Sequence, residues 1–230
     1  MIDTGLFHWI WEFLSSRGGE LIGIVGLSLS VSTIAVIISA LIGVPLGAFL
    51  GLRRFPGRKL FMRVIYTLMS LPPVLAGLLV YLFFARSGPL GFLDILFSPT
   101  VMVIAQVLLV TPIVTGLSAA AIASKEKLVM DTARTLGASE RQAGLVVIKE
   151  ASKGIVAGIM TGFGRAFGEV GAVMMVGGNV RYQTRVLTTS IVLETRQGQF
   201  GFAIVLGLIL LILSFIVSSI LLRIDESKLD

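Results

Sequence analysis

Four stretches of the chain carry no Asp, Glu, Lys or Arg: residues 21–52, 64–85, 100–124 and 200–222. Each exceeds the roughly 18 apolar residues that suggest a membrane-spanning helix. A fifth, 154–180, is interrupted only by Arg165 and Glu169. The pattern predicts an all-α chain, a polytopic membrane helix bundle of five spans in one domain over 1–230. The first run is longer than one crossing needs at ~1.5 Å per residue, so it is expected to tilt or to project beyond the lipid. Residues 5–16, ahead of it, read as a short interfacial helix within an external segment 1–20. Trp9 and Trp11 suit a water–lipid belt, and His8 in the same segment reads as an interfacial side chain.

Two spans carry breaks in their own pattern. In the second, Ser70-Leu71-Pro72-Pro73 removes two helix donors and brings ring clashes with the preceding turn, so the helix must kink or unwind there. Two readings of the break stand, a structural kink and a broken helix lining a pathway. In the fourth, Gly154, Gly158, Gly162, Gly164, Gly168 and Gly171 recur at mostly helical spacing. Small residues four apart let helices approach closely, which predicts a place inside the bundle or at a dimer seam, with a pore-lining role as the compatible alternative. Arg165 and Glu169 are also four apart, so on a continuous helix they share a face and pair. A structural clamp and an ordered pathway wall are both open readings of that pair. After this span, Arg181, Arg185, Thr188, Thr189 and Ser190 supply guanidinium and hydroxyl donors that suit an oxyanion funnel, or else form a solvated loop.

Between the third and fourth spans lies a polar segment, 125–153. It is expected to run as a helix from Ser124 to Leu136, to break at Gly137 in a positive-φ conformation, and to restart with Ser139 as cap, ending near Glu150. Two short helices meeting at a glycine corner make a rigid knob, with no catalytic group in it.

Composition agrees with this picture and narrows the chemistry. Of 230 residues, 55% are hydrophobic and 14% charged, and the mean hydropathy is +0.96. Soluble domains hold roughly 45–50% apolar residues. If the 125–153 segment faces the cytoplasm, most of the 19 basic residues do too, from Arg53, Arg54, Arg58, Lys59 and Arg63 to Arg223 and Lys228. Arg17, Arg86, Arg181, Arg185 and Arg196 then lie outside. The positive-inside rule thus puts the N-terminus outside and the C-terminus in the cytoplasm. The formal net charge of +6 is accounted for by basic loops against anionic lipid, without nucleic acid. With acidic Asp3 and Glu12 ahead of Arg17, no cleavable signal peptide is evident. Zero cysteines exclude disulfides and thiolate metal sites, and neither a catalytic nor a metal-ligating set is found. No Gly-rich loop ending in Gly-Lys-Ser/Thr occurs, so the sequence offers no phosphate-binding loop of its own.

The segment Asp131-Thr132-Ala133-Arg134-Thr135-Leu136-Gly137-Ala138-Ser139 resembles the coupling loop of ABC importer permeases, whose pattern is Glu-Ala-Ala, three residues, then Gly. Asp131 and Thr132 stand where Glu and Ala are usual, and Lys149-Glu150 replaces the customary Leu-Pro. A second stretch, Gly164-Arg165-Ala166-Phe167-Gly168-Glu169-Val170-Gly171-Ala172, is similar to the signature of the molybdate, tungstate and sulfate permeases, as is Leu71-Pro72-Pro73. With Met174-Met175-Val176-Gly177-Gly178-Asn179 followed by Val180-Arg181-Tyr182, the chain looks closest to the tungstate branch.

The resemblance implies a type I ABC importer permease fold with a cytoplasmic coupling helix, in a prokaryotic inner membrane. It implies a second copy of the chain, a cytoplasmic ABC ATPase dimer carrying ATP and Mg, and an external substrate-binding protein. Asp131, Thr132, Ala133, Leu136, Gly137, Ala138 and Ser139 would then contact the ATPase. Pro72, Pro73, Arg165, Glu169, Met174, Met175, Asn179, Arg181, Arg185, Thr188 and Thr189 would form the translocation pathway or gate. The competing classes are an ion-coupled secondary transporter, a passive channel, an intramembrane hydrolase, and an ABC permease for molybdate or sulfate. The hydrolase lacks a nucleophile with a histidine base in its spans.

Overall fold

The computed structural model describes residues 4–226, with side chains from 18 to 220 and at Arg223. The expectations for His8, Trp9 and Trp11, and for the charges of Asp3, Glu12, Arg17 and Lys228, lie outside the side chains described. The described residues form nine α-helices and one 3₁₀ turn, Gly91–Leu93. The α-helices are α1 Thr4–Leu52, α2 Arg58–Met69, α3 Pro73–Phe84, α4 Pro99–Thr135, α5 Glu140–Glu150, α6 Ser152–Phe167, α7 Gly171–Gly177, α8 Leu187–Arg196 and α9 Phe200–Glu226. The fold is all-α, as the apolar pattern predicts.

Three helices are long and apolar enough to cross a membrane unbroken, over Gly18–Leu52, Pro99–Thr135 and Phe200–Ile220. The pairs α2/α3 and α6/α7 are bent by 98° and 54° and give five crossings if each pair counts as one. Two expectations change. The interfacial helix foreseen over 5–16 is continuous with the first span inside α1. The stretch after the fourth span is a solvated loop only in its first half: Val180, Arg181, Tyr182 and Gln183 are exposed, whereas α8 buries Leu187, Thr188, Thr189, Ser190 and Glu194.

The longest interface joins α1 to α4, and glycine makes it. Gly43, Gly47 and Gly51 stand one turn apart on α1 and face Thr115, Ser118 and Ile122 of α4. A Cβ on Gly47 would lie 2.7 Å from the Ser118 Cβ and 2.8 Å from the Thr115 carbonyl oxygen. The two backbones are therefore in contact, and dispersion between them replaces side-chain interdigitation. A Thr111-to-Ser39 hydroxyl bond of 3.2 Å ties the same pair of helices.

On another face of α4, α6 repeats the device. Added Cβ atoms at Gly154, Gly158 and Gly162 would meet Ala121, Leu117 and Val110 at 2.5, 3.0 and 2.8 Å. Packing is thus the role of these three glycines. Gly164, in the same run, faces open space. Helix α4 becomes the mast of the bundle, flanked by α1, α2 and α6.

A glycine test follows. Gly47→Leu should lower the detergent melting midpoint by the equivalent of about 1–3 kcal/mol or more, because backbone rather than a flexible side chain blocks the new atoms. Gly26→Leu, on the same helix with nothing within 4 Å of its would-be Cβ, should leave the midpoint nearly unchanged. Equal melting of the two variants would contradict the close α1–α4 contact.

Candidate coupling and translocation sites

Helix α4 continues beyond its apolar portion to Thr135, and the chain then turns sharply. Gly137 adopts a φ of 84°. Its N–H donates to the Arg134 carbonyl, and the Ala138 N–H to the Ala133 carbonyl, both at 3.0 Å. These two bonds define a Schellman motif, which only a residue tolerant of positive φ closes without strain. Ser139 opens α5 with a capping box: its N–H donates to Gln142 Oε1 at 2.8 Å, and the Gln142 N–H donates to its hydroxyl oxygen at 3.4 Å. Across the corner, Arg134 donates from Nε and Nη2 to Glu140 Oε1 at 2.9 and 2.6 Å. Both side chains are solvent-facing, so this bridge contributes at most about 1 kcal/mol and serves mainly to fix direction.

Beneath the corner, Met130 and Ala133 of α4 pack with Ala143 and Val147 of α5 and Ile155 of α6. Ala133, expected on the docking surface, therefore points inward and belongs to this small core. Ala138 is half-buried against the same cluster. The outer surface is left to Asp131, Thr132, Leu136, Gly137 and Ser139. Leu136, Leu128 and Leu145 are 83%, 76% and 60% exposed. Leu128 and Leu145 were missed in the sequence, although leucines in a polar segment that holds its own small core are a readable signal of an outward apolar face.

Within the bundle, the second span breaks where the prolines predict. Pro72 is the N-cap of α3, and Pro73 occupies its first turn, where a missing N–H costs nothing. Helix α3 then buries Ala76, Gly77, Val80 and Phe84, and a Cβ on Gly77 would lie 2.8 Å from the Cα of Ala172 on α7.

The fourth span breaks between α6 and α7, where the glycine spacing predicts one continuous helix. Arg165 and Glu169 consequently straddle the break instead of sharing a helix face. Their Nε and Oε2 are 3.9 Å apart, with Glu169 buried and Arg165 half-buried. Glu169 has a second task, since its Oε1 accepts the Ala172 N–H at 3.1 Å and so caps α7. Side chains of other helices bond carbonyls on both sides of the break. Gln106 Nε2 donates to the Ala166 carbonyl at 3.0 Å, and the Thr188 hydroxyl to the Glu169 carbonyl at 2.8 Å. Ser28 of α1 accepts the Leu187 N–H at 2.8 Å at the start of α8. Gln106 and Ser28 were not singled out in the sequence. Gln106 is the one amide in the 100–124 run, which was the available signal.

Toward the end of the bundle opposite the corner, Met174 and Met175 lie half-buried on α7. The loop after it turns through Gly178, Asn179 and Tyr182, all at positive φ. The funnel donors are already engaged. Arg181 donates to both Glu20 oxygens, at 2.9 and 2.6 Å, and Arg185 Nη1 reaches Glu20 Oε1 at 3.2 Å. That hydrogen bond and charge, with Tyr182 close by, hold the Arg181 guanidinium above its ordinary pKa. Thr189 and Ser190 donate to the Val186 carbonyl at 3.1 and 2.8 Å. The structure thus corrects the open funnel: Glu20 occupies the two arginines, and Thr188 and Thr189 bond to backbone. The buried Asn179 Oδ1 and Arg185 Nε have no hydrogen-bond partner among the described residues. Those residues also gather no metal-binding group of three or more His, Asp or Glu.

The geometry is that of a membrane bundle with a stiff knob at its basic end and two broken spans within, and the sequence that builds it is similar to those of known proteins. The family described as binding-protein-dependent transport system inner membrane component matches residues 43–229. A tungstate uptake system permease protein of Peptoclostridium acidaminophilum is 40% identical over 96% of both chains. A probable anion ABC transporter permease protein of Haloferax volcanii is also 40% identical, over 84% of this chain and 85% of its own. The molybdenum transport system permease protein of Escherichia coli K12 is 28% identical over 88% of this chain and 93% of its own. A match over most of the chain to one permease family, with relatives this similar along their full length, makes the chain a member of the ABC importer permeases, within their molybdate, tungstate and sulfate group.

Proposed function

We propose that this permease carries a tetrahedral oxyanion, tungstate foremost, into the cell by alternating access. The reading is supported above all by the tungstate uptake relative, 40% identical over 96% of the chain. It gains support from the corner at Gly137, whose outward leucines offer a partner an apolar seat on an otherwise polar knob. The working assembly would be two copies of the chain, a cytoplasmic ABC ATPase dimer that binds ATP and Mg, and an external substrate-binding protein. The N-terminus would lie outside and the C-terminus in the cytoplasm, the arrangement favoured by the basic residues around the knob.

Closure of the ATPase dimer on ATP would draw the two knobs together. The corner moves as one body because α5 shares a core with α4 and α6, so the displacement passes directly into the broken fourth span. A break whose loose backbone groups are satisfied by other helices is a place where a span can change angle at little cost. Arg165 would supply positive potential for the anion, while Glu169 restrains it and anchors α7. Asp131, Thr132, Leu136, Gly137 and Ser139 would form the ATPase contact. Pro72, Pro73, Met174, Met175 and Asn179 would shape the pathway wall or gate.

Reconstitution of the permease with its ATPase and binding protein tests the function. Tungstate uptake into proteoliposomes should require ATP on the ATPase side and persist when a proton ionophore is added. Uptake abolished by the ionophore under ample ATP would instead indicate an ion-coupled secondary transporter, and uptake without nucleotide a channel.

Leu136→Asp with Leu145→Asp should change the melting free energy by no more than about 0.5 kcal/mol, since neither side chain packs inside. The same variant should reduce ATP-driven uptake by at least about tenfold, as a charged face cannot fill an apolar seat. Normal uptake would remove the knob from the coupling pathway.

At the break, Glu169→Gln keeps an oxygen for the Ala172 N–H but removes the charge facing Arg165. A stability loss of about 1–2 kcal/mol is expected, less than for a fully buried pair because Arg165 is partly exposed. Glu169→Ala, which also loses the cap, should cost about 1 kcal/mol more. Equal melting of both variants would show that the cap contributes nothing.

A further inference from the structure

Helix α2 has no role in either site, yet its side chains are sharply sorted. Residues 58, 59, 62, 63 and 66 share one face, and 60, 61, 64 and 68 the next, because these numbers step by three and four. The first face holds Arg58, Lys59, Arg63 and Tyr66. It opens on a cleft of about 350 Å³ whose far wall is Ala119 and Ala120 of α4. Arg58 is fixed at the cleft edge by its Nε bond to the Leu50 carbonyl, 2.7 Å long. None of the three cations has an ion-pair partner among the described carboxylates. The neighbouring face exposes Leu60, Phe61 and Val64.

We propose that this cleft is a binding site for the phosphate headgroup of an anionic phospholipid, in the leaflet at the basic end of the bundle. Depth supports this occupant. Ala119 and Ala120 lie in the final turns of the charge-free run of α4, which ends at Ser124-Lys125, so the cleft sits where headgroups meet acyl chains. Chemistry supports it as well. Unpaired cations grouped over an apolar floor between helices suit a phosphodiester. The guanidinium of Arg63 and the ammonium of Lys59 reach the phosphate from flexible stems that lie along apolar surface. A free oxyanion would satisfy the cations but would leave the alanine wall and Leu60, Phe61 and Val64 uncovered. A lipid covers both, with its phosphate in the cleft and its chains along the adjacent face. The site does not depend on what the permease transports.

The test uses the full chain, purified in detergent, stripped of lipid and titrated with phosphatidylglycerol or phosphatidylcholine while bound lipid is counted by native mass spectrometry. Phosphatidylglycerol should bind in preference. Lys59→Gln with Arg63→Gln, which leaves the Arg58 anchor in place, should weaken that binding at least about tenfold. Arg53→Gln with Arg54→Gln, two cations on the same side but outside the cleft, should alter it less than about twofold. Equal loss in both double variants would reduce the effect to diffuse charge and overturn the site. Equal binding of phosphatidylcholine would overturn it too, by showing that the headgroup charge is not read. Displacement of the lipid by inorganic phosphate or tungstate at equal concentration would do the same, by assigning the cleft to a free oxyanion.

Discussion

Backbone hydrogen bonding inside an apolar bundle is the constraint from which the rest of this structure follows. Each break in a span strands N–H and C=O groups where no water compensates them, at a cost of several kcal/mol for any left bare. At the α6–α7 break, the Glu169 carboxylate, the Thr188 hydroxyl and the Gln106 amide take up those groups from three different elements. Helices α4 and α8 thus each add a side-chain donor to the break. A polar junction held by several helices is also a junction that their relative movement can reset.

The same requirement orders the loop between α7 and α8. The hydroxyls that look like free donors in sequence serve the start of α8 and the carbonyl of Glu169, while the arginines beside them close on Glu20. For the buried Thr188, Thr189 and Ser190, dry surroundings make an internal partner worth more than an idle donor. An anion that approached Arg181 or Arg185 in this conformation would have to compete with a carboxylate held by a forked pair of bonds. The half-buried Arg165, with its acid at the longer distance of 3.9 Å, is less firmly engaged than either of them.

At the basic end, stiffness has a different origin. The corner at Gly137 is closed by local bonds, those of a Schellman motif and a capping box, and needs few long-range contacts to form. Its small core then fastens it to α4 and α6. Close glycine contacts bind α1 to the backbone of α4 and α6 to its side chains.

Local chemistry let the sequence determine the five apolar runs, the proline break before α3, and the whole helix–glycine–helix corner with its Ser139 cap. Each of these depends on hydrophobic period or on a residue's own φ preference, which operate over a few neighbours. The family was legible for a related reason, since its signatures are continuous strings. What only the tertiary structure decided was which groups meet. It broke the fourth span at Gly168, turned Ala133 inward, set Gln106 and Ser28 against backbone atoms of distant elements, and brought Glu20 to Arg181, 161 positions away. Glycines at 43, 47 and 51 were as regular as those of the fourth span, yet their role emerged only against α4. A stretch of chain encodes its own helix, but the fate of a polar atom in a membrane is fixed by whichever neighbour can satisfy it.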